Sequence, residues 1–559
     1  MHKESKLDKR YLDQLRGTGP YTVTESRISD TQGGPRNKNI IFISVDMVPM
    51  EFHHPVKDGF PIKTPVIDSL RAQGVTFQNA FSNSPLCAPS RASYLTGRYS
   101  YITGNGECSH DGQEGHIRET DIMWGEYLKS EGYHMRHVGK SHVGTHKMMD
   151  LFTENDSPWD RWSPPWYDDD QYLAYLADLG LTPFEFSNPL YGEAADGSKK
   201  GNFYGGTLAP QNGKPFPKEG TYPAFLVHKA IQALKTQNND KPIFLQLDFF
   251  GPHQPFAIPG GMEERATELR ESLPLPESFC FLLENDFTTP SGEPRIYRLY
   301  RKNWGLTDAE MVREYRIANI LQYELIDELL GELIAFLKEI NIYDDTWIYF
   351  IADHGEMNCE MGIVDKGTYL NPRVMRVPLV VKPPVSGHEI WKPGLEVEGI
   401  VSLLDIAPTI LNEAGIEIPE RLDGLRLHSA IAGEDRPEEF SLMCDIWNHV
   451  MPNLAVGTVF KSKFGGYRFF SYNMTDDRDE LYEINNDAAL CNLLSDMSSL
   501  HDYPKDISDP ILESHREAVC LLQKRLARDP RWEAYDRYIK LEYAKILDIH
   551  ADNQLFIIE

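Results

Sequence analysis

Residues 39–45 read NIIFISV and stop at Asp46. A β-rich apolar run of this length, without helical spacing, reads as a strand buried in a sheet. Similar runs return at 75–81, 133–138, 242–249, 346–351 and 377–381, with helix-compatible stretches between them at 64–74, 120–132, 222–234 and 307–340. Strands that alternate with helices pack as a sheet between helical layers, so the fold class is α/β. In open sheets of this class ligands gather at the carboxyl ends of the strands, and Asp46 stands at such an end.

The stretch with the densest chemistry follows the second run. Residues 84–98 read SPLCAPSRASYLTGR, and Pro85 and Pro89 hold the chain extended on either side of Cys87. The segment 90–95, closed by Gly97, is short and helix-compatible, which puts Cys87 just ahead of a helix N-terminus. Free N–H groups and the positive end of the helix dipole favour an anion there, and Arg91 adds a fixed cation. Other runs also end in chemistry. Lys140 and His142 follow the run at 133–138, His253 lies in the turn Pro252-His253-Gln254-Pro255, and Asp353-His354-Gly355-Glu356 ends the run at 346–351, with Lys366 downstream. Glu356 and Glu360 read as ordinary loop carboxylates.

Cys87-Ala88-Pro89-Ser90-Arg91, continued by Leu95-Thr96-Gly97-Arg98, resembles the signature of the sulfatase family, in which this cysteine is oxidised to formylglycine by a maturation enzyme. Gly139 to Gly144 resembles the family's G-K-x-H-x-G, and His253 and the Asp353-His354 pair fall where that family has its P-H-x-P turn and second metal motif. The resemblance covers roughly residues 39–500, and the motifs come in the family order. It implies an alkaline-phosphatase-like α/β/α sandwich with a smaller C-terminal α+β domain. It further implies one divalent cation held by Asp46, Cys87 in its modified form, Asp353 and His354. Arg91, Lys140, His142, His253 and Lys366 would surround the sulfate, with His253 the first candidate for general acid and Lys366 its competitor.

Sulfatases usually carry a second Asp after the first strand, where this chain has Met47, a poor ligand for a hard cation. Met47 and His354 resemble the branch of choline sulfatases and phosphonate monoester hydrolases. Two carboxylates and a formylglycine oxygen suit calcium; an imidazole and one carboxylate fewer shift the preference toward manganese. The expected activity is hydrolysis of a small-molecule or saccharide sulfate ester. The alternatives are a phosphonate monoester or phosphodiester hydrolase and, more distantly, a non-catalytic binder of such esters.

The 559-residue chain has a formal net charge of −28. That excludes nucleic acid and anionic membrane as partners, and means that an anionic substrate must be captured by local cations against the global field. Residues 1–36 offer no signal-peptide core, and the seven cysteines show no paired spacing, so a cytoplasmic protein with reduced thiols is expected. The organisation expected is a polar arm at 1–38, a catalytic domain at 39–435, and a smaller domain at 436–559 with a hairpin, a helix at 511–527 and an apolar tail. That tail docks either on a neighbouring subunit, making a homo-oligomer, or on its own chain. The segment 151–222, rich in Asp, Trp, Pro, Gly and Tyr, reads as an irregular active-site wall or an oligomer contact.

Overall fold

The computed structural model describes residues 38–101, 117–192, 202–288, 293–437 and 442–533, with short gaps inside these spans and a longer one over 485–508, where Leu493 alone is described. The polar arm to residue 37, the apolar tail beyond 533, and His54, His110, Asp111, Gly144 and His146 lie outside the described residues.

The first strands are β1 (Asn39–Asp46), β2 (Val75–Phe81), β3 (His134–Lys140) and β4 (Glu154–Trp159). Next come β5 (Phe186–Tyr191), β6 (Phe203–Leu208), β7 (Ile243–Pro252) and β8 (Phe256–Ile258). Then follow β9 (Thr346–Ala352), β10 (Arg376–Val377), β11 (Leu379–Lys382) and β12 (Leu395–Ser402). The last four are β13 (Leu442–Ile446), β14 (Ala455–Lys461), β15 (Tyr467–Asn473) and β16 (Arg478–Ile484).

Nine strands form the main sheet, in the order β10-β2-β11-β9-β1-β7-β3-β4 with β12 beside β2. At its centre β1 pairs in parallel with both β7 and β9, and β3 pairs in parallel with β7. Every residue of β7 and β9 is buried, as expected for parallel strands covered on both faces. β11 runs antiparallel to both β9 and β2, so β2 points the same way as β1, and its carboxyl end opens on the same edge.

The long apolar pattern at 307–340 is one helix, Ala309–Glu339, whose N-cap Asp308 accepts from Glu310 N and Met311 N. Its Asp327 also caps another helix. In Pro65–Gln73 the N-cap residue, Thr64, makes no side-chain cap bond to the helix, and Asp327 accepts instead from Val66 N at 3.1 Å and Ile67 N at 2.8 Å.

The segment 151–222 is more regular than its composition suggests. It contains the helix Asp170–Asp178, capped by Asp169, and the strands β5 and β6, which form a small separate sheet with β8 paired to β6. Bulges between β5 and β6 interrupt the period-2 pattern there. The C-terminal strands form an antiparallel sheet, β13-β14-β15-β16, followed by the helix Asp509–Arg528.

Candidate active site

The carboxyl edge of the sheet gathers the expected residues because neighbouring strands end in register. Val45 pairs with Ala352 and Asp46 with Pro252, so Asp46, Asp353 and His253 emerge side by side. Two backbone bonds fix that edge: Asp353 N donates to Val45 O at 3.2 Å and His253 N to Asp46 O at 3.1 Å. Lys140 is the last residue of β3.

From β2 the chain turns through residues 82–86 into the helix Cys87–Thr96, all of whose residues are buried. Cys87 is therefore the first helical residue rather than the residue before it. Its N-cap, Leu86, has no side chain able to bond the free N–H groups, which keeps the positive helix end directed at the site. Ser90 Oγ ties the helix to the metal motif by donating to Asp353 O at 2.5 Å.

Asp46, Cys87, Asp353 and His354 are all buried, and each offers one ligand atom, all within 4.8 Å of one another. Cys87 Sγ lies 3.1 Å from His354 Nε2 and 3.8 Å from Asp46 Oδ1. His354 Nδ1 donates to the carbonyl of Gly355, so its Nε2 faces the group in the tautomer that ligation requires. Met47 contributes only backbone, its N–H donating to Asp353 Oδ1 at 3.2 Å from a left-handed conformation with φ 62°.

Arg91 sits behind this group. Its Nε donates to Asp353 Oδ2 at 2.8 Å, its Nη1 to Lys140 O at 2.9 Å and its Nη2 to Asp46 Oδ2 at 3.4 Å. The guanidinium thus holds the carboxylates in place from below. Lys140 Nζ pairs with Asp46 Oδ2, and Lys366 Nζ lies 2.5 Å from His253 Nε2.

The electrostatics favour added positive charge between the carboxylates. Burial opposes ionisation of Asp46, yet Lys140, with Arg91 and His354, holds its carboxyl well below the usual range. Burial likewise works against a charged His354, but Asp353 and Cys87 push it up to about 9. Two buried carboxylates, an imidazole and a sulfur facing one another form a donor set that fits a divalent ion. Burial, then Lys366, pushes His253 down to about 3, and burial with Lys140 and Arg91 lowers His142, so both imidazoles are neutral. Burial disfavours a charged Lys366, but Asp365, Cys87 and Asp46 more than compensate and raise it.

Several residues here are invisible to motif reading. Asp248 lies 3.8 Å from Arg91 Nη1 and is itself bonded by Ser44 Oγ at 2.5 Å, Gln246 Nε2 at 2.6 Å and His137 Nε2 at 2.9 Å. Its signal was present, since Gln246 and Asp248 are two polar residues inside an otherwise apolar buried strand. Glu356, read as an ordinary loop carboxylate, is fully buried and bonded by Tyr315 and Asn319 of the long helix. That helix therefore braces the loop that carries Asp353 and His354. Trp162 is 41% exposed and its ring centroid lies 5.8 Å from that of His253.

Comparison with known proteins gives the same picture. The Sulfatase family model matches residues 38–416, well over half of the chain, and the model for the N-sulphoglucosamine sulphohydrolase C-terminal region matches 359–517. The choline-sulfatase of Rhizobium meliloti (strain 1021) is 27% identical over 428 residues, covering 73% of this chain and 73% of the relative. Among solved structures, phosphonate monoester hydrolase SpPMH from Silicibacter pomeroyi superposes with a TM-score of 0.61 at 19% identity, covering 89% of this chain and 96% of that one. BT4656, solved with its substrate D-glucosamine-2-N,6-O-disulfate, gives 0.59 at 17% identity, covering 89% and 99%. At these identities the two structures speak for the fold alone. The family model covers the residues that converge at the sheet edge, from Asp46 to Lys366, and the chain belongs to the sulfatase family, as a sulfuric ester hydrolase.

Proposed function

We propose that the chain hydrolyses an organic sulfate ester with a formylglycine derived from Cys87 and one divalent cation held by Asp46, Cys87, Asp353 and His354. The observation that supports this most is the convergence of those four side chains within 4.8 Å at a helix N-terminus, with Arg91, Lys140 and Lys366 packed around them. Converted to formylglycine, position 87 would supply a hydrated aldehyde, one hydroxyl to attack sulfur and a second to expel the sulfate afterwards. The cation, when bound, would lower the cost of deprotonating that nucleophile and neutralise charge on the sulfuryl group. The carboxylates favour calcium, and His354 in the ligand group favours manganese.

The chain's own groups divide the remaining work. Lys140 faces the sulfuryl oxygens, and His142, neutral at working pH, offers a hydrogen bond rather than a charge. The proton for the leaving alcohol comes from Lys366. His253 Nδ1 donates to the carbonyl of Gln254, which leaves the lone pair on Nε2, and there the imidazole accepts from Lys366 Nζ. His253 thus orients the ammonium, and of the two candidates Lys366 is the one with protons to give.

Trp162 beside His253 suits a leaving alcohol with a ring, saccharide or aryl; a cationic alcohol at the same place would meet Lys366. The division into a catalytic part at 39–435 and a smaller part at 436–559 belongs to the same reading and is supported by the position of all these residues in the first.

Met47 and His354 also favour a phosphonate monoester hydrolase. The deciding measurement is the ratio of kcat/KM for an aryl sulfate to that for an aryl phosphonate monoester, on protein produced with a formylglycine-generating enzyme. A ratio well above one is expected, and a ratio well below one would replace the sulfate reading with the phosphonate one.

A further inference from the structure

Lys366 and His253 reach the site from different loops, and one carboxylate ties those loops together. Asp365 Oδ1 accepts from the backbone N–H of Lys366 at 2.7 Å and lies 3.1 Å from Lys366 Nζ. Its Oδ2 accepts from Gln254 Nε2 at 2.7 Å. Gln254 follows His253 directly, and its carbonyl takes the Nδ1 proton of that histidine. The two oxygens of a single side chain therefore hold the ammonium on one side and the imidazole turn on the other.

The surroundings fix Asp365 in a conformation the chain seldom adopts unaided. Its φ is 68°, in the left-handed region, although it carries a side chain. Its N–H donates to Glu356 Oε1 at 3.3 Å and its carbonyl accepts from Met357 N at 3.1 Å. Tyr315 Oη donates to the same Glu356 oxygen at 2.5 Å and stands 3.4 Å from Gln254 Oε1, which closes the ring of contacts. A strained residue held from so many sides beside reacting groups points to a role in positioning them.

We propose that Asp365, acting through Gln254, is a positioning residue for protonation of the leaving group, holding Lys366 Nζ against His253 Nε2 within reach of the departing oxygen. This rests on the sulfate-ester reading above. As the S–O bond breaks, its electron pair stays on the alcohol oxygen, which takes a proton from Lys366 Nζ. Sulfur bonds to the attacking oxygen at position 87 as the alcohol leaves, so the products of that step are the sulfate ester on residue 87, the free alcohol and a neutral amine, and the amine recovers its proton from water. An ammonium out of place would matter most where the alcohol is a poor leaving group, because only such an alcohol depends on being protonated as it departs.

The test compares full-length, formylglycine-containing wild type with Asp365→Asn and Gln254→Met. Both are assayed on 4-nitrophenyl sulfate and on a sulfate of an unactivated alcohol, and in parallel on a 4-nitrophenyl and an unsubstituted phenyl ester of phenylphosphonic acid. For Asp365→Asn, kcat on the unactivated ester is expected to fall about 100-fold, at least tenfold more than on the activated one, with KM little changed. Gln254→Met, which leaves the charge beside Lys366, should show the same selectivity at smaller amplitude. Equal losses on both esters, or a loss confined to KM, would overturn the proposal. A wild type active on the phosphonate pair alone would sink the sulfate reading while that pair still judged Asp365. A wild type inactive on both pairs would remove both.

Discussion

The thiol of Cys87 lies 3.1 Å from an imidazole nitrogen and 3.8 Å from a carboxylate oxygen, so a formylglycine formed there would stand among the side chains proposed as metal ligands. Cys87→Ala removes the group to be converted and leaves the rest of the site in place. Turnover should drop by roughly 10,000-fold or more while the unfolding transition stays within about 1 kcal/mol of wild type; assays beside thermal melts check both. His354→Ala removes the side chain that, in the proposed metal site, sets the donor set apart from an all-oxygen one. Affinity for the divalent ion should fall at least ~100-fold, as read by metal content after dialysis against a graded chelator, since even residues that merely support ligands cost 10–100-fold when lost. Arg91 illustrates how burial changes a residue's meaning. Its donors go to Asp353, Lys140 O and Asp46, so its charge organises the carboxylates before any substrate arrives.

At the scale of elements, the helix Cys87–Thr96 and the loop bearing Trp162 invite separate tests. The helix ends on Gly97 at φ 67°, where a Cβ would meet Ala407 Cβ at 2.8 Å and Leu422 Cδ2 at 2.9 Å. Gly97→Ala should destabilise the protein by about 1–3 kcal/mol, seen as a lower denaturant midpoint with an unchanged m-value. The loop with Trp162 is anchored by Trp166, which packs edge-on against Phe184 with centroids 5.1 Å apart and tilted against Phe186 at 5.7 Å. Trp162→Ala should therefore leave the loop in place and raise KM for an aryl sulfate about three- to tenfold, the size of one aromatic contact, while inhibition by inorganic sulfate stays as in wild type. A parallel change in sulfate inhibition would mean that the ring shapes the anion site instead.

Across the whole molecule, the C-terminal sheet and the catalytic loops share a core. Phe469 of β15 packs against Phe81 of β2 with centroids 6.2 Å apart, Asn453 Nδ2 donates to Thr368 O at 2.7 Å, and Arg531 pairs with Asp423 at 2.9 Å. Buried in that sheet, Glu480 is pushed up to about 7 by loss of solvent, against the opposing bonds from Tyr482 and Asn473. A folded-state pKa above the unfolded one gives stability that is full below about 4.5 and is lost as pH rises through about 7. The loss attributable to this group is at most ~3 kcal/mol, and Glu480→Gln should flatten the melting temperature between pH 5 and 8 by removing it. Among the described residues no helix is long and apolar enough to cross a membrane.

How much of this was legible beforehand depends on the range of the interactions. The sequence by itself determined the α/β class, the strands at the sheet centre and the motif residues at their ends. Those features rest on local hydrophobic pattern and on residues whose chemistry is tied to a short spacing. Tertiary structure alone decided that Arg91 is spent on carboxylates, that Glu356 is buried against Tyr315 and Asn319, and that Asp327 caps a helix far away in sequence. It also set Lys366 Nζ against His253 Nε2 and joined Asp365 to Gln254 across 111 residues. Each of these is a polar contact between distant segments, and such contacts leave no periodicity in the chain because only the packing of the sheet and its covering helices brings the partners together.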